Sequence, residues 1–222
     1  EAFNVNVMGT RNVLTAAGEL SNLEMMVFAS SAAVYPPREG SNSESSKTGP
    51  TDIYGKTKLI GENLVRQFQL ETNTTTAVAR LFNVYGPNET NEHLIPAVLN
   101  QVRNGDRKIQ LGNRTPKRYF IHVSDVADGL MTLLTEFDDG YGVYNIGTGS
   151  EHSVQEVVEK TSEALEEEID IAHDEARARE SDPPQLQADI SQMQSDFGWE
   201  PKVEFVEGLR ELLHQDEEVL VA

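Results

Sequence analysis

Hydrophobic positions along the 222-residue chain alternate between a helical and a strand period. From Phe3 to Ala17 the apolar residues fall near helical spacing and Gly18 follows, which predicts a helix. Met25 to Ala29 is a short unbroken apolar run of the buried-strand type. Ile53 to Leu70 reads as a long amphipathic helix, Thr75 to Leu81 as a strand ending ahead of the Tyr85-Gly86-Pro87 turn, and Leu94 to Val102 as a helix. Lys108–Leu111 and Tyr119–Val123 read as short strands. Ser124-Asp125 is expected to cap a helix running through Leu134, a side-chain oxygen accepting from the free N–H groups of its first turn. Val143–Ile146 and Ile169–Ala172 are strand-like, Ser153 with Glu156 three residues later is a capping box, and further helices start near Ser191 and Phe205. Residues 36–51 and 173–188 are polar and rich in turn formers, hence loops.

Strands alternating with helices imply an α/β architecture with a mostly parallel sheet. A complete dinucleotide-binding unit opens with a strand, a glycine-rich turn and a helix N-terminus that receives the pyrophosphate. No Gly-x-Gly-x-x-Gly or Gly-x-x-Gly-x-x-Gly follows a strand here; Gly147-Thr148-Gly149 lacks the third glycine and reads as a turn. The chain is therefore expected to lack the front of such a unit, and loss of central strands would expose a sheet edge and apolar faces.

Composition narrows the class. With 38% hydrophobic and 25% charged residues the chain can build a core. No apolar run approaches the roughly 18 residues of a membrane span, and the start shows no signal-peptide pattern, so a cytoplasmic protein is expected. The absence of cysteine excludes disulfides, thiolate metal sites and a cysteine nucleophile. Asp and Glu total 37 against 18 Lys and Arg, a net charge of -19 spread along the chain. That field repels phosphate backbones, making nucleic acid a poor partner, and suits a halophilic protein whose self-repulsion is screened by salt. His93, His152, His173 and His214 show no metal-ligand spacing, so no metal is expected.

Tyr54-Gly55-Lys56-Thr57-Lys58 carries the first chemical signal. Tyr and Lys at i and i+4 share a helix face, and a nearby ammonium stabilises a phenolate enough for acid/base work near neutral pH. By spacing alone the pair is equally a solvated helix face. Upstream, Phe28-Ala29-Ser30-Ser31-Ala32-Ala33-Val34-Tyr35 puts two hydroxyls at the end of a buried strand, where open α/β sheets place ligands. Taken alone it is equally a strand-ending turn.

Together, Ser-Ser-x-x-Val-Tyr followed by Tyr-x-x-x-Lys resembles the extended short-chain dehydrogenase/reductase family, in particular its NAD-dependent epimerase/dehydratase group and the UDP-glucose 4-epimerases within it. The resemblance continues in order through Asn4-Val5-Asn6-Val7-Met8-Gly9-Thr10, Arg80-Leu81-Phe82-Asn83-Val84-Tyr85-Gly86-Pro87, Leu94-Ile95-Pro96, Arg118-Tyr119-Phe120-Ile121-His122-Val123-Ser124-Asp125, Tyr144-Asn145-Ile146-Gly147, Ala188-Asp189 and Gly198-Trp199-Glu200-Pro201.

The resemblance implies a Rossmann-like parallel sheet lacking its N-terminal strands, with a smaller C-terminal α/β substrate-binding region. Residues 1–90 would carry the catalytic part of the dinucleotide-binding domain. Residues 91–222 would mainly hold a nucleotide sugar, with about 118–135 returning to the first domain. It implies NAD as cofactor, a homodimer built on helices such as Ile53–Leu70, and Ser31, Tyr54 and Lys58 as the catalytic group. Asn6, Ala29, Ser30, Tyr54, Lys58, Leu81 and Phe82 would face the cofactor. Ser31, Asn83, His93, Leu94, Leu111, Arg118, Arg179 and Asp182 would face the nucleotide sugar, with arginines suited to its phosphates. His122 is read as a structural core residue.

Departures from the family pattern sharpen the expected reaction. Dehydratases of the family carry Asp-Glu just after the catalytic hydroxyl residue and decarboxylases tend to carry Glu; this chain has Ala32-Ala33. That favours epimerisation by transient oxidation to a keto-sugar. The family's Arg-x-Gly-Asp stands as Arg179-Glu180-Ser181-Asp182, and Leu186 replaces a tyrosine common in 4-epimerases, so the sugar is left open. A dehydratase or reductase of the same family, and a non-catalytic sugar-nucleotide-binding or interaction module, are the competing expectations.

Overall fold

The computed structural model describes residues 1–89, 93–113, 117–174 and 186–219. The chain begins with a π-wound turn (Asn4–Met8) leading into α1 (Gly9–Ala17), then β1 (Met25–Ser31), a 3-10 turn (Ala32–Val34) and β2 (Ser41–Asn42). α2 (Ile53–Thr72), β3 (Thr75–Leu81), β4 (Val84–Tyr85), α3 (Leu94–Arg103) and β5 (Lys108–Leu111) follow. After β6 (Lys117–Tyr119) and β7 (Ile121–His122) come α4 (Val123–Glu136), β8 (Tyr141–Ile146), β9 (Glu151–Ser153) and α5 (Val154–Leu165). β10 (Asp170–His173), β11 (Gln187–Ala188), α6 (Ser191–Phe197) and α7 (Phe205–Val219) complete the order.

The expected α/β class holds. β1, β3 and β8 form a parallel sheet in the order β1-β3-β8, with Met25 opposite Thr75 through Ser31 opposite Leu81, and Thr76 opposite Tyr141 through Leu81 opposite Ile146. Alternation along the strands sends the two sets of side chains into two cores. Val78, with Met26 and Phe28, meets Leu14 and Ala17 of α1 and Val65 and Phe68 of α2. Ala77, Ala79, Tyr144 and Ile146 meet Val126 and Leu133 of α4, Met193 of α6 and Trp199 on the opposite face. β1 is an outer strand, and Val5, Val13, Met131 and Leu134 are exposed apolar residues on the flanking helical segments.

A second group of elements packs separately. β5 and β10 pair in parallel, and Val98, Val102, Ile109, Leu111, Val154 and Val158 form one core with α3 and α5. Tyr85, Ile95, Leu99, Val157, Leu209 and Leu212 form another that brings in α7. Among the described residues no helix is long and apolar enough to cross a membrane.

Three local expectations need correction. The strand expected over Tyr119–Val123 is broken at Phe120 and ends at His122, because Val123 starts α4. Ser124 and Asp125 do not cap α4. His122 is its N-cap residue, its Nδ1 accepting from the Ser124 N–H at 3.4 Å, and the helix starts at Val123. Asp125 is buried inside the first turn, where its carboxylate accepts from the N–H groups of Lys202 (3.0 Å) and Val203 (3.1 Å) and ties α4 to the chain before α7. The helix expected over Phe3–Ala17 is continuous in direction, but its first part is π-wound, with the Gly9 N–H bonding the Asn4 carbonyl. The Ser153–Glu156 capping box forms as expected.

Candidate active site

The last residues of β1 are each gripped by a different donor or acceptor. Lys58, one turn beyond Tyr54 on α2, donates from Nζ to the Ala29 carbonyl at 3.0 Å. The Ser30 hydroxyl is buried and donates to Glu62 Oε1 at 2.5 Å. Ser31 Oγ accepts from the Ala33 N–H at 3.2 Å, which caps the 3-10 turn and leaves the hydroxyl proton of Ser31 to donate elsewhere. Tyr54, in the first turn of α2, keeps 45% of its surface exposed.

Lys58 is half-buried, and this loss of hydration pushes its ammonium below the ordinary lysine value. Its Nζ lies 5.6 Å from the Phe28 ring centroid and 5.8 Å from that of Tyr54. One N–H is taken by Ala29, and an ammonium has two more to offer a ligand. Asn6 Nδ2 donates to Thr57 Oγ1 at 2.9 Å, so the π-wound turn is fastened to α2 next to Lys58.

The start of α2 is fixed from two sides. Asp52 Oδ1 accepts from the Gly55 N–H at 2.7 Å, the N-cap geometry that satisfies a free helix donor. Gly55 is pressed on the Ala33 carbonyl, so that a β-carbon there would stand 2.1 Å from its oxygen.

Deeper in, Arg80 and Glu62 form a buried ion pair, Nε to Oε1 at 3.0 Å and Nη2 to Oε2 at 2.7 Å. Burial alone would lower the guanidinium, but the hydrogen bonds and charge of Glu62 outweigh it and hold Arg80 above its ordinary value. Arg80 Nη1 donates to the Tyr35 hydroxyl at 2.9 Å, which donates to Asn145 Oδ1 at 2.8 Å. Burial raises the Tyr35 phenol. Neither Glu62 nor Asp52 is therefore a spare carboxylate beside Ser31. A cavity of about 590 Å³ lies elsewhere, lined by Ser41, Gln187, Asp189, Ser191 and Glu200 among others, and none of Ser31, Tyr54 or Lys58 borders it.

Comparison with known proteins decides the family. The family model described as GDP-mannose 4,6 dehydratase matches residues 1–212. The chain belongs to the extended short-chain dehydrogenase/reductases, in their NAD-dependent epimerase/dehydratase family. UDP-glucuronic acid decarboxylase 5 of Arabidopsis thaliana is 30% identical over 94% of this chain and 62% of its own length. The solved structure of MoeE5 in complex with UDP-glucose and NAD is 33% identical, covers 97% of this chain and 72% of that one, and superposes with a TM-score of 0.85. The UDP-glucose 4-epimerase of Thermus thermophilus, solved as a complex with NAD, is 27% identical, covering 94% of this chain and 68% of that one, with a TM-score of 0.79. The chain spans about 62% of the length of the first curated relatives it matches.

Within this epimerase/dehydratase chain the expected cofactor-side residues gather at the carboxyl ends of β1 and β3. Leu81 is opposite Ser31 across the sheet, and Asn6, Ala29, Tyr54 and Lys58 are joined as described. The Ser30 hydroxyl is turned inward to Glu62, and the Phe82 ring is buried beside Tyr35 with centroids 6.3 Å apart. Among the expected substrate-side residues, Leu94 and Leu111 lie in the second group of elements. Asn83 is exposed and its carbonyl accepts from the Ile121 N–H at 2.9 Å. His93, just before α3, approaches Glu89 Oε1 at 2.7 Å, and Leu94 opens α3. The Leu111 side chain is consumed by a core at the end of β5, and Arg118 on β6 donates to the Lys117 carbonyl at 2.8 Å. Arg179 and Asp182 lie outside the described residues. The sequence reading missed Gly55, Glu62 and Arg80. Glu62 and Arg80 had signals: an acid one turn past Lys58 on the same helix face, and an arginine inside the apolar strand Thr75–Leu81.

Proposed function

We propose that this chain carries the catalytic part of an NAD-dependent nucleotide-sugar epimerase acting on a UDP-glucose/UDP-galactose-like substrate. The observation that carries the reading is the end of β1. There Ser31 adjoins Ala32 and Ala33, with no carboxylate at either position, and the nearby acids Asp52 and Glu62 are held by Gly55 and by Arg80. Tyr54 takes the proton of a sugar hydroxyl as general base and returns it as general acid. Ser31 donates a hydrogen bond to the same oxygen and steadies its developing charge. The Lys58 ammonium holds its positive charge 5.8 Å from the centre of the Tyr54 ring. Lys58, Asn6 and the backbone of Ala29, Ser30, Leu81 and Phe82 would hold the cofactor; the unused N–H groups of Lys58 suit ribose hydroxyls. NAD, when bound, supplies reversible two-electron redox chemistry at the sugar carbon.

In this reading residues 1–90 form the catalytic part and residues 91–222 mainly the sugar-nucleotide part, with Asn83, His93, Leu94, Arg118, Arg179 and Asp182 toward the substrate. The packing of α4 on the sheet supports the return of residues 118–135 to the first part. Exposed Ile53 and Ile60 on α2 support a homodimer through that helix. A second reading, decarboxylation or dehydration, is favoured by the family model and by the decarboxylases among the relatives. Loss of water needs further acid/base help, and Ala32 and Ala33 supply none.

The test is product identity. The full-length protein is incubated with UDP-glucose, UDP-galactose, UDP-glucuronic acid and dTDP-glucose, and products are identified by mass and proton NMR. A product of unchanged mass and inverted configuration is expected. A product lighter by water or carbon dioxide overturns the reading.

A further inference from the structure

A chain of buried polar groups runs under the catalytic residues and touches none of the reacting positions itself. Ser30 donates to Glu62, Glu62 is clamped by Arg80, Arg80 donates to Tyr35, and Tyr35 donates to Asn145. Glu62, Arg80, Tyr35 and Asn145 are each at most 5% exposed. The chain thus joins β1, α2, β3, the 3-10 turn and β8. Its far end continues. Asn145 Nδ2 donates to the carbonyls of Asn42 (2.8 Å) and Asp189 (3.0 Å), and the Asn145 N–H donates to Glu44 Oε1 at 2.7 Å. Asn42 and the residue before Asp189 belong to the β2–β11 pair.

We propose that Glu62, Arg80, Tyr35 and Asn145 are positioning residues that set Ser31 against Tyr54 and couple that setting to the β2–β11 segment. The proposal rests on the assignment of Ser31, Tyr54 and Lys58 as the catalytic group. Its physical ground is the two ends of the chain. Ser30 directly precedes Ser31, and Glu62 lies on α2 one turn past Lys58 and two past Tyr54. Tyr54, Lys58 and Glu62 share a helix face, so a rotation of α2 that displaced Tyr54 would break the Glu62 bonds to Ser30 and Arg80 together. A buried ion pair is a weak source of net stability compared with apolar packing. It is a strong source of register, because its directional bonds tolerate one arrangement. The β2–β11 segment lies at the other end of the same bonds, so movement there is transmitted to Arg80 through Tyr35.

The experiment compares Tyr35→Phe and Glu62→Gln with Val158→Ala, a core change in the α5 cluster far from the chain of bonds. Each is made in the full-length protein. Thermal midpoint, kcat and KM for the nucleotide sugar are measured well below the melting range. Hydrogen–deuterium exchange is followed in peptides covering 28–34 and 53–60. Tyr35→Phe removes one hydroxyl and keeps the ion pair, so it remains informative if Glu62→Gln does not fold. The expected result is a kcat lowered at least fivefold with KM within twofold, together with faster exchange in both peptides. Val158→Ala should lower the midpoint without either effect. A kcat within twofold of wild type in folded Tyr35→Phe overturns the proposal, as does an equal kcat loss in Val158→Ala. If the wild-type protein turns over no nucleotide sugar, the functional reading fails and exchange decides. Faster exchange confined to the two peptides supports positioning, and unchanged exchange overturns it.

Discussion

The Ala33 carbonyl oxygen occupies the place that a β-carbon on Gly55 would need, 2.1 Å from its ideal position. Both partners are backbone, one in the turn that follows Ser31 and the other in the helix turn that starts with Tyr54. Neither can step aside as a flexible side chain would. Gly55→Ala therefore has to push α2 away from the turn by a sizeable fraction of an ångström or more. Misplacing a catalytic group by about 1 Å can cost on the order of 10²-fold in rate. We expect Gly55→Ala to lower kcat by roughly that factor, with nucleotide-sugar affinity much less changed. Steady-state kinetics alongside equilibrium binding would check it; a near wild-type kcat would show that the close approach has no catalytic consequence.

Tyr54→Phe keeps the ring and removes the only group that exchanges a proton with the sugar in the proposed mechanism. Positioned acid/base groups contribute about 10² to 10⁴-fold, so turnover should fall by at least that much. Calorimetric binding of the nucleotide sugar should stay close to wild type, because the ring's packing on α2 is preserved. Retention of full turnover would remove Tyr54 from the mechanism.

Much of this site was legible because it is carried by short-range pattern. The strand Thr75–Leu81 and the strand Lys108–Leu111 fall where periodicity puts them, and Lys58 reaches the Ala29 carbonyl near the end of β1. What was illegible depends on partners distant in sequence. Pairing of Ser41–Asn42 with Gln187–Ala188 joins two-residue strands too short for any period to reveal. Asp125 looked like a cap because Ser-Asp before an apolar run has that chemistry. The imidazole of His122 took the cap, and the backbone of Lys202 and Val203, far along the chain, claimed the carboxylate. Glu62 resembled any polar residue of an amphipathic helix until Arg80 and Ser30 were seen to enclose it.

The rate should also carry the signature of Lys58. Burial holds its ammonium below the ordinary value of 10.5. The proton needed beside Tyr54 is therefore lost as pH rises through a value lower than that of an exposed lysine. An alkaline limb in kcat/KM is expected below pH 10.5, not above it. Linkage has the matching sign: between the two values the unfolded chain binds more protons, so this group makes stability rise with pH. Lys58→Arg keeps its charge throughout and should move the limb upward at a reduced maximal rate. A limb that stays in place in that variant would assign it to another group.

The Glu62–Arg80 pair makes an asymmetric prediction about stability. Removing one member leaves the other charge buried and unpaired, which typically costs about 3–5 kcal/mol. Arg80→Gln and Glu62→Gln should each lower the urea midpoint markedly. Replacing both with apolar residues of similar volume, Glu62→Leu with Arg80→Met, should recover most of the loss. Full recovery of stability with kcat still depressed would separate the pair's role in positioning from its role in folding.

The charge of -19 sets the response to salt. Acids crowd the exposed surface on and beside α5 and α7, where Glu159, Glu163, Glu166, Glu204, Glu207 and Glu211 outnumber Lys160 and Arg210. Single pairs such as Lys160–Glu163 and Arg210–Glu207 neutralise only part of this surface, and exposed pairs contribute little. Repulsion among the remaining carboxylates is strongest in dilute buffer. It decays as the screening length shrinks from about 30 Å at 0.01 M to about 3 Å at 1 M salt. The thermal midpoint should therefore climb by on the order of 10 °C between dilute buffer and molar KCl, a shift equivalent to a few kcal/mol in a domain of this size. Sodium chloride should act alike, since the effect is one of ionic strength, and neutral sucrose at matched osmolality should not reproduce the steep early part of the rise. A midpoint indifferent to salt would mean that the surface acids are compensated locally and that the charge excess is no adaptation to a saline interior.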